Sequence, residues 1–320
     1  MPTPVFFTID TEIIWRHHAA GHDLATLYER SFEPAGVGVS YQLATLAKHG
    51  LKACFFIDPM PATIFGLDPI KRIVDRVLSA GQGVQLHLHP NWTGAAAGDR
   101  GSSYARFQMC EFTLAEQREL IAQARDLLVA AGAPAPLAFR AGSYAANDDT
   151  LVALAELGFA YDSSHDGSNH PWPSNIGLPP RQIAPVARLG LTEIPVTVIE
   201  DSPGKLRTVQ ICALSTTEMR AALDHAAAQG HQAVTIVNHG FELANRSGTA
   251  PNAVHVRRFN ALCAFLEAHR DRLPTTHFKD LPGIPLELGR SDVPLAASAM
   301  RRRWRQAEQL WSNRVAERAA

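Results

Sequence analysis

Short apolar, β-rich runs alternate with longer amphipathic stretches along almost the whole chain, and this alternation limits the fold more than any other feature. Pro4–Ile9 reads as a strand, Val37–His49 as a helix ended by Gly50, and Leu51–Ile57 as a strand closed by Asp58-Pro59. The helix Asp68–Ala80 stops at Gly81, and the strand Gly83–His89 stops at Pro90. A capping-box pattern, Thr113-Leu-Ala-Glu116, opens a helix that runs to Ala131. Leu137–Arg140 and Phe159–Asp162 flank the helix Asp148–Leu157. Leu191–Val198, Arg207–Ala213, Ala233–Asn238 and Thr275–Phe278 are further strands, with helices at Ser215–Gln229 and Val254–His269. Strands separated by helices of this length predict a parallel α/β fold. The strands are nearly continuous in apolar residues, as strands covered on both faces must be. No Gly-, Ser- or Pro-rich linker divides the chain. The reading is one α/β domain over residues 1–290, either a (β/α) barrel or a doubly wound sheet, followed by residues 291–320.

Two segments break the rhythm. Asn169–Pro185 is Pro-rich and predicts a long loop. Met300–Arg318 spells a basic amphipathic helix with Trp304 and Trp311, read as packing on or extending from the domain, with a partner or membrane-surface helix as the alternative.

Composition narrows the function. With 30 basic and 31 acidic residues and a formal net charge of -1, the chain lacks the basic excess of a nucleic-acid binder. It has no apolar run near the ~20 residues of an integral membrane segment. Its first residues, MPTPVFFTID, lack a basic region before a long apolar stretch, and its four cysteines are scattered. Reduced thiols and a cytoplasmic location are the expectation.

Parallel α/β folds build their sites at the carboxyl ends of strands. Here those ends read Asp10-Thr-Glu12, His87-Leu-His89, Arg140-Ala-Gly-Ser-Tyr144, Asp162-Ser-Ser-His165 and Asn238-His239. Asp10 and Glu12 stand at i and i+2, as do His87 and His89, so each pair shares one face while the chain stays extended. Two adjacent carboxylates repel unless a cation or a proton relieves them. Two imidazoles and a carboxylate suit a divalent metal with positions left open for water and substrate. Arg140 could pair with Asp10 and keep it ionised. Tyr144 reads either as a core aromatic or as a hydroxyl facing substrate. His165, then His17 and His18, are the further histidines that could join.

In order, these strand ends resemble the motifs of the polysaccharide deacetylase (NodB-homology) superfamily over about residues 3 to 280. Thr8-Ile-Asp10-Thr-Glu12 is similar to the first motif, usually T-F-D-D-G, and His87-Leu-His89-Pro90 to the second, usually H-x-x-x-H-P. Arg140 to Tyr144, Tyr161-Asp162 and Val237-Asn-His239 resemble the remaining three. The resemblance implies an irregular (β/α) barrel of about seven parallel strands. It implies a metal-dependent hydrolase that removes an acetyl group from an N-acylated sugar or glycan precursor. Asp10 would be the general base, His239 the general acid, and Arg140 the residue orienting Asp10. Glu12, His87 and His89 would hold one divalent ion, zinc first, with cobalt, nickel or manganese as alternatives. Tyr144, Trp92 and Asp162 would line the substrate. Thr11 stands where the family has its second Asp, so Asp10 as ligand with Glu12 as base stays open. A non-catalytic carbohydrate-binding relative and an amidase acting on a small non-sugar amide are the competing readings.

Overall fold

The computed structural model describes residues 2–96 and 106–315. Strand β1 (Val5–Thr11) leads into helices α1 (Trp15–Ala19), α2 (Leu24–Phe32) and α3 (Val39–Lys48). Then come β2 (Cys54–Ile57), α4 (Ala62–Phe65), α5 (Asp68–Ser79), β3 (Gly83–Leu88) and α6 (Leu114–Ala130). Next are β4 (Ala138–Ala141), α7 (Asp148–Glu156), β5 (Tyr161–Asp162), β6 (Val186–Arg188) and β7 (Leu191–Glu193). The chain finishes with β8 (Val198–Ser202), β9 (Lys205–Thr208), α8 (Thr216–Gln229), β10 (Val234–His239), α9 (Ala253–Ala268) and α10 (Ala299–Val315).

The main sheet runs β10-β1-β2-β3-β4-β5-β7-β6. Every pairing from β10 to β7 is parallel, which gives seven parallel strands among the described residues, and β6 adds an antiparallel hairpin edge. The last strand returns beside the first, so the sheet curls as a barrel and lacks the strand-order reversal of a doubly wound sheet. Single hydrogen bonds link the β7 side to β10. Val196 N–H donates to His165 O (2.9 Å), Thr197 N–H to Thr235 O (3.2 Å), Val209 N–H to Thr197 O (2.8 Å) and Val237 N–H to Val209 O (3.0 Å). A hairpin of β8 and β9 stands outside the main sheet.

Strand parity separates two cores. Val5, Phe7, Ile9, Phe55, Ile57, Leu86 and Phe139 turn outward into one large cluster shared with the helices. The inward positions Phe6, Cys54, Phe56 and Ala138 form a smaller cluster with Ile194, Ala233, Phe278 and Leu281. That inner cluster plugs the lower half of the barrel, with Phe278 against Phe6 at 4.8 Å and Phe56 at 5.6 Å between ring centroids. Above it the inward side chains become polar.

Local chemistry sets the helix starts. Capping boxes open α6 (Thr113 with Glu116) and α8 (Ser215 with Glu218), and Asn147 caps α7. Several sequence boundaries need correction. Leu191–Val198 is not one strand: Pro195 has no N–H to donate, and the chain crosses there from β5 to β10. Thr275–Phe278 makes only a single bridge, Val5 to Thr275, before a 3-10 turn swings Phe278 into the barrel floor. Arg207–Ala213 pairs with β9's partner only to Thr208 and then bridges β10 at Gln210. Helices α1 and α2 fall in a stretch for which no regular element is predicted. Asn169–Pro185 is irregular, with cis bonds at Pro171 and Pro173. Residues 316–318 of the expected terminal helix lie outside the described residues.

Helix α10 docks on the domain through polar side chains. Arg305 is 2% exposed, pairs with Asp201 and meets Glu218 at 3.2 Å. Glu308 pairs with Arg258 at 2.7 Å, and Ser312 accepts from Asn252 at 3.1 Å.

Candidate active site

Asp10 and His239 are register partners on adjacent parallel strands, so their side chains leave the sheet on the same side. The same rule joins His87 to Arg140 across β3 and β4. All four project into the upper barrel. Thr11 has the opposite parity and turns back to bond the Ile9 carbonyl at 3.1 Å. Glu12 regains the inward side. His89 keeps extended backbone (φ -109, ψ 113), so both histidines of the i, i+2 pair face inward together.

Arg140 is fully buried. Its Nη1 donates to Asp10 Oδ1 at 2.7 Å and to Thr8 Oγ1 at 2.8 Å. Nε and Nη2 donate to Ser163 O and Oγ, each at 3.0 Å, and the guanidinium lies 4.4 Å from the Phe56 ring centre. Every face of the cation is engaged, so Asp10 is held in one orientation. Removing either charge would leave the other buried and unpaired, a loss of about 3–5 kcal/mol.

Glu12, His87 and His89 are the group that could hold a metal ion among the described residues, with ligand atoms all within 4.8 Å of one another. His87 Nε2 is 3.4 Å from Glu12 Oε2, and His89 Nε2 contacts the same oxygen. His87 Nδ1 lies 2.8 Å from the Arg140 carbonyl; donation there leaves Nε2 as the metal-facing lone pair. Two imidazoles and one carboxylate, with converging atoms, fit a divalent ion with open positions. Burial raises the Glu12 carboxyl, but the His89 charge and hydrogen bonds from both histidines hold it well below its ordinary value. Burial lowers His89, and Glu12 overcomes it, raising the imidazole to about 9. The His89 ring occupies the space where a Cβ on Gly142 would stand. Glycine is required there by close approach.

His239 Nδ1 is 2.7 Å from Glu242 Oε2. Burial lowers His239, but the hydrogen bond and charge of Glu242, backed by Asp10 and Glu12, raise it to about 9. Burial raises Glu242, and the bond and charge of His239 bring it down to about 2. Glu242 also accepts from the Cys212 and Gln210 donors. Glu242 thus anchors the His239 ring and favours its protonated form. Phe241 sits beside it, ring centres 5.1 Å apart, and Arg16 lies 5.8 Å from the Phe241 ring.

Tyr144 follows a strained turn in which Ser143 and Tyr144 have φ of 56° and 58°. Its hydroxyl is buried without a partner. Burial raises the phenol well above its ordinary value, and the Asp10 and Asp166 carboxylates add to that, so it is a neutral donor.

Two of the expected substrate contacts are not at the site. Asp162 is paired in register with the outward-facing Phe139, so parity points it away from the barrel interior. It is fully buried and accepts from Ser164. Trp92 is 1% exposed and packs against Trp15 (4.9 Å), His18 (5.2 Å) and Phe65 (6.2 Å), so no ring face remains for a sugar. His165 is fully buried with Nε2 3.1 Å from Pro179 O, and His17 and His18 are buried on α1, so none joins the metal-binding group.

Two acids named at strand ends in the sequence were given no role there. Asp58 follows β2, between β1 and β3, and is fully buried with Oδ2 unpartnered. Burial raises it to about 6 against the pull of His89 and His87. Its signal was an acid at a strand end, masked by its Asp-Pro turn context. Glu242 was visible in Asn-His-Gly-Phe-Glu but carried no motif of its own.

No protein-family model and no curated protein matches the chain. Solved structures do. A presumptive polysaccharide deacetylase from Mycobacterium smegmatis matches with a TM-score of 0.55 at 20% identity, covering 91% of this chain and 95% of that one. Puue allantoinase matches with a TM-score of 0.55 at 12% identity, covering 87% and 88%. The likeness is one of fold: the chain shares with these structures an irregular α/β barrel, here with a polar rim at the carboxyl ends of its strands.

Proposed function

We propose that the protein is a metal-dependent hydrolase that removes an acyl group, acetyl first, from an N-acylated sugar or glycan precursor. One observation carries the reading. An oriented carboxylate, Asp10 on Arg140, and a protonated imidazole, His239 on Glu242, come from adjacent strands beside the group formed by Glu12, His87 and His89. That is a base, an acid and a ligand set on one rim.

A bound divalent ion would activate water and polarise the amide carbonyl. Glu12, His87 and His89 would hold it. Asp10 takes the proton of the attacking water, and Arg140 holds its carboxylate in place. His239 gives its proton to the departing amine nitrogen, and Glu242 stabilises the imidazolium until then. The Tyr144 hydroxyl, buried and unpartnered, would donate to a substrate oxygen. A cytoplasmic location is part of the same proposal, read from the four scattered cysteines of the sequence.

Metal content of the purified wild type beside the His87→Ala/His89→Ala double variant is the first test. About one ion per chain, absent from the variant, together with acetate release from N-acetylated sugars, supports the proposal. A wild type that takes up none of zinc, cobalt, nickel or manganese sinks it. Acetylated sugars left intact while small cyclic amides are opened would favour the second reading, a non-sugar amidase; the match to an allantoinase is the observation behind it.

A further inference from the structure

Helix α10 is attached to the domain through polar side chains, and its large apolar side chains are left in solvent. Arg305, Glu308 and Ser312 make the contacts with the domain, while Trp304 and Trp311 are 63% and 66% exposed, Met300 80% and Leu310 62%. Met300, Trp304 and Trp311 fall on one side of the helix at i, i+4 and i+11, and Leu310 is exposed about 100° further round from Trp311. Arg303 and Arg314 are exposed and lie between that stripe and Leu310.

We infer that α10 is a surface anchor for anionic lipid bilayers, lying in the headgroup region with both tryptophans buried and the flanking arginines on lipid phosphates. Three features point to this occupant. Indole rings favour the boundary between headgroups and acyl chains. Basic side chains beside an apolar stripe are attracted to an anionic leaflet. A second copy of the helix would bring like charges together across the stripe, so the charge pattern that suits lipid phosphate opposes self-association. No helix of the described residues is long and apolar enough to cross a membrane. The attachment is therefore to the surface. It lies beside the catalytic rim: Gln309 Nε2 donates to Cys212 O at 3.4 Å, and Cys212 N–H donates to Glu242, the partner of His239. Docking would bring that rim to the bilayer. The inference stands on the helix and does not depend on the proposed activity.

The experiment is co-sedimentation of the full chain with vesicles of phosphatidylcholine and of an equimolar phosphatidylcholine–phosphatidylglycerol mixture. The wild type should bind the anionic vesicles, bind neutral ones far less, and lose binding as salt rises. Trp304→Gln/Trp311→Gln should lower anionic partitioning about tenfold or more. Arg303→Glu/Arg314→Glu should do the same while leaving both tryptophans in place. All four side chains are exposed, and unchanged thermal melts would show intact folds. Equal binding to both vesicle types, or none, would overturn the inference. So would concentration-dependent self-association that the tryptophan substitutions abolish without any vesicle binding.

Discussion

Asp10 and His239 sit opposite one another in the β1–β10 ladder, each backed by an opposite charge: Arg140 on Asp10 at 2.7 Å and Glu242 on His239 at 2.7 Å. Neighbouring strands thus present an anion and a cation, each stabilised from behind, to the same volume.

The proposed mechanism gives proton transfer to both side chains. Asp10→Asn should reduce deacylation at least ~10²-fold while metal content is kept, because the amide cannot accept the water proton. Single-turnover rates alongside metal analysis would check it. A variant with near wild-type turnover would remove Asp10 from the base role.

The His239–Glu242 pair sets a pH dependence with a definite sign. His239 is raised to about 9, so its contribution to stability is complete below the unfolded value near 6.5 and is lost as pH rises through 9. Seen from Glu242, lowered to about 2, the same interaction is present above the unfolded value near 4.5 and is lost as pH falls through 2. As general acid, His239 must be protonated, so activity should fall on the alkaline side. Glu242→Gln should move that limb to lower pH. An unchanged alkaline limb in kcat/KM profiles would exclude His239 as its source.

Gly142→Ala should act on the ligand set at a distance from the chemistry. A methyl at this position overlaps the His89 ring, which must turn away from Glu12. Metal affinity should fall about 10–100-fold, the usual effect of disturbing a ligand's support. Competition titration with a chromogenic chelator would measure it, and unaltered affinity would show that His89 is not a ligand.

Trp92 is a packing residue in this structure, wedged among Trp15, His18 and Phe65. Trp92→Ala should cost about 3–5 kcal/mol of stability. The milder Trp92→Phe should leave KM unchanged. Urea midpoints and steady-state kinetics separate the two effects, and a KM raised in a stable Trp92→Phe protein would restore the substrate role.

Much of the site was legible because strand side chains alternate with a period of two. The i, i+2 spacing of Asp10 with Glu12 and of His87 with His89 placed each pair on one face before any fold was known. The same alternation misled at Asp162, where the face could be chosen only once its register with Phe139 was set. Asp58 looked like a turn residue because Asp-Pro commonly is one. Its approach to the two histidines depends on β2 lying between β1 and β3.

The sequence by itself determined the elements and their order. Hydrophobic period, capping boxes and helix-ending glycines are local properties, and so is a strand end that carries an acid or a histidine. Tertiary structure alone decided which strand ends meet, because β1 and β10 are separated by more than two hundred residues and are joined only by barrel curvature. It also decided which aromatic side chains are core and which are surface. Trp92 and Trp304 are the same residue type, each next to a break or a basic run. One is buried by three rings, and the other is left in solvent because its helix is held to the domain by Arg305 and Glu308 and not by its own ring.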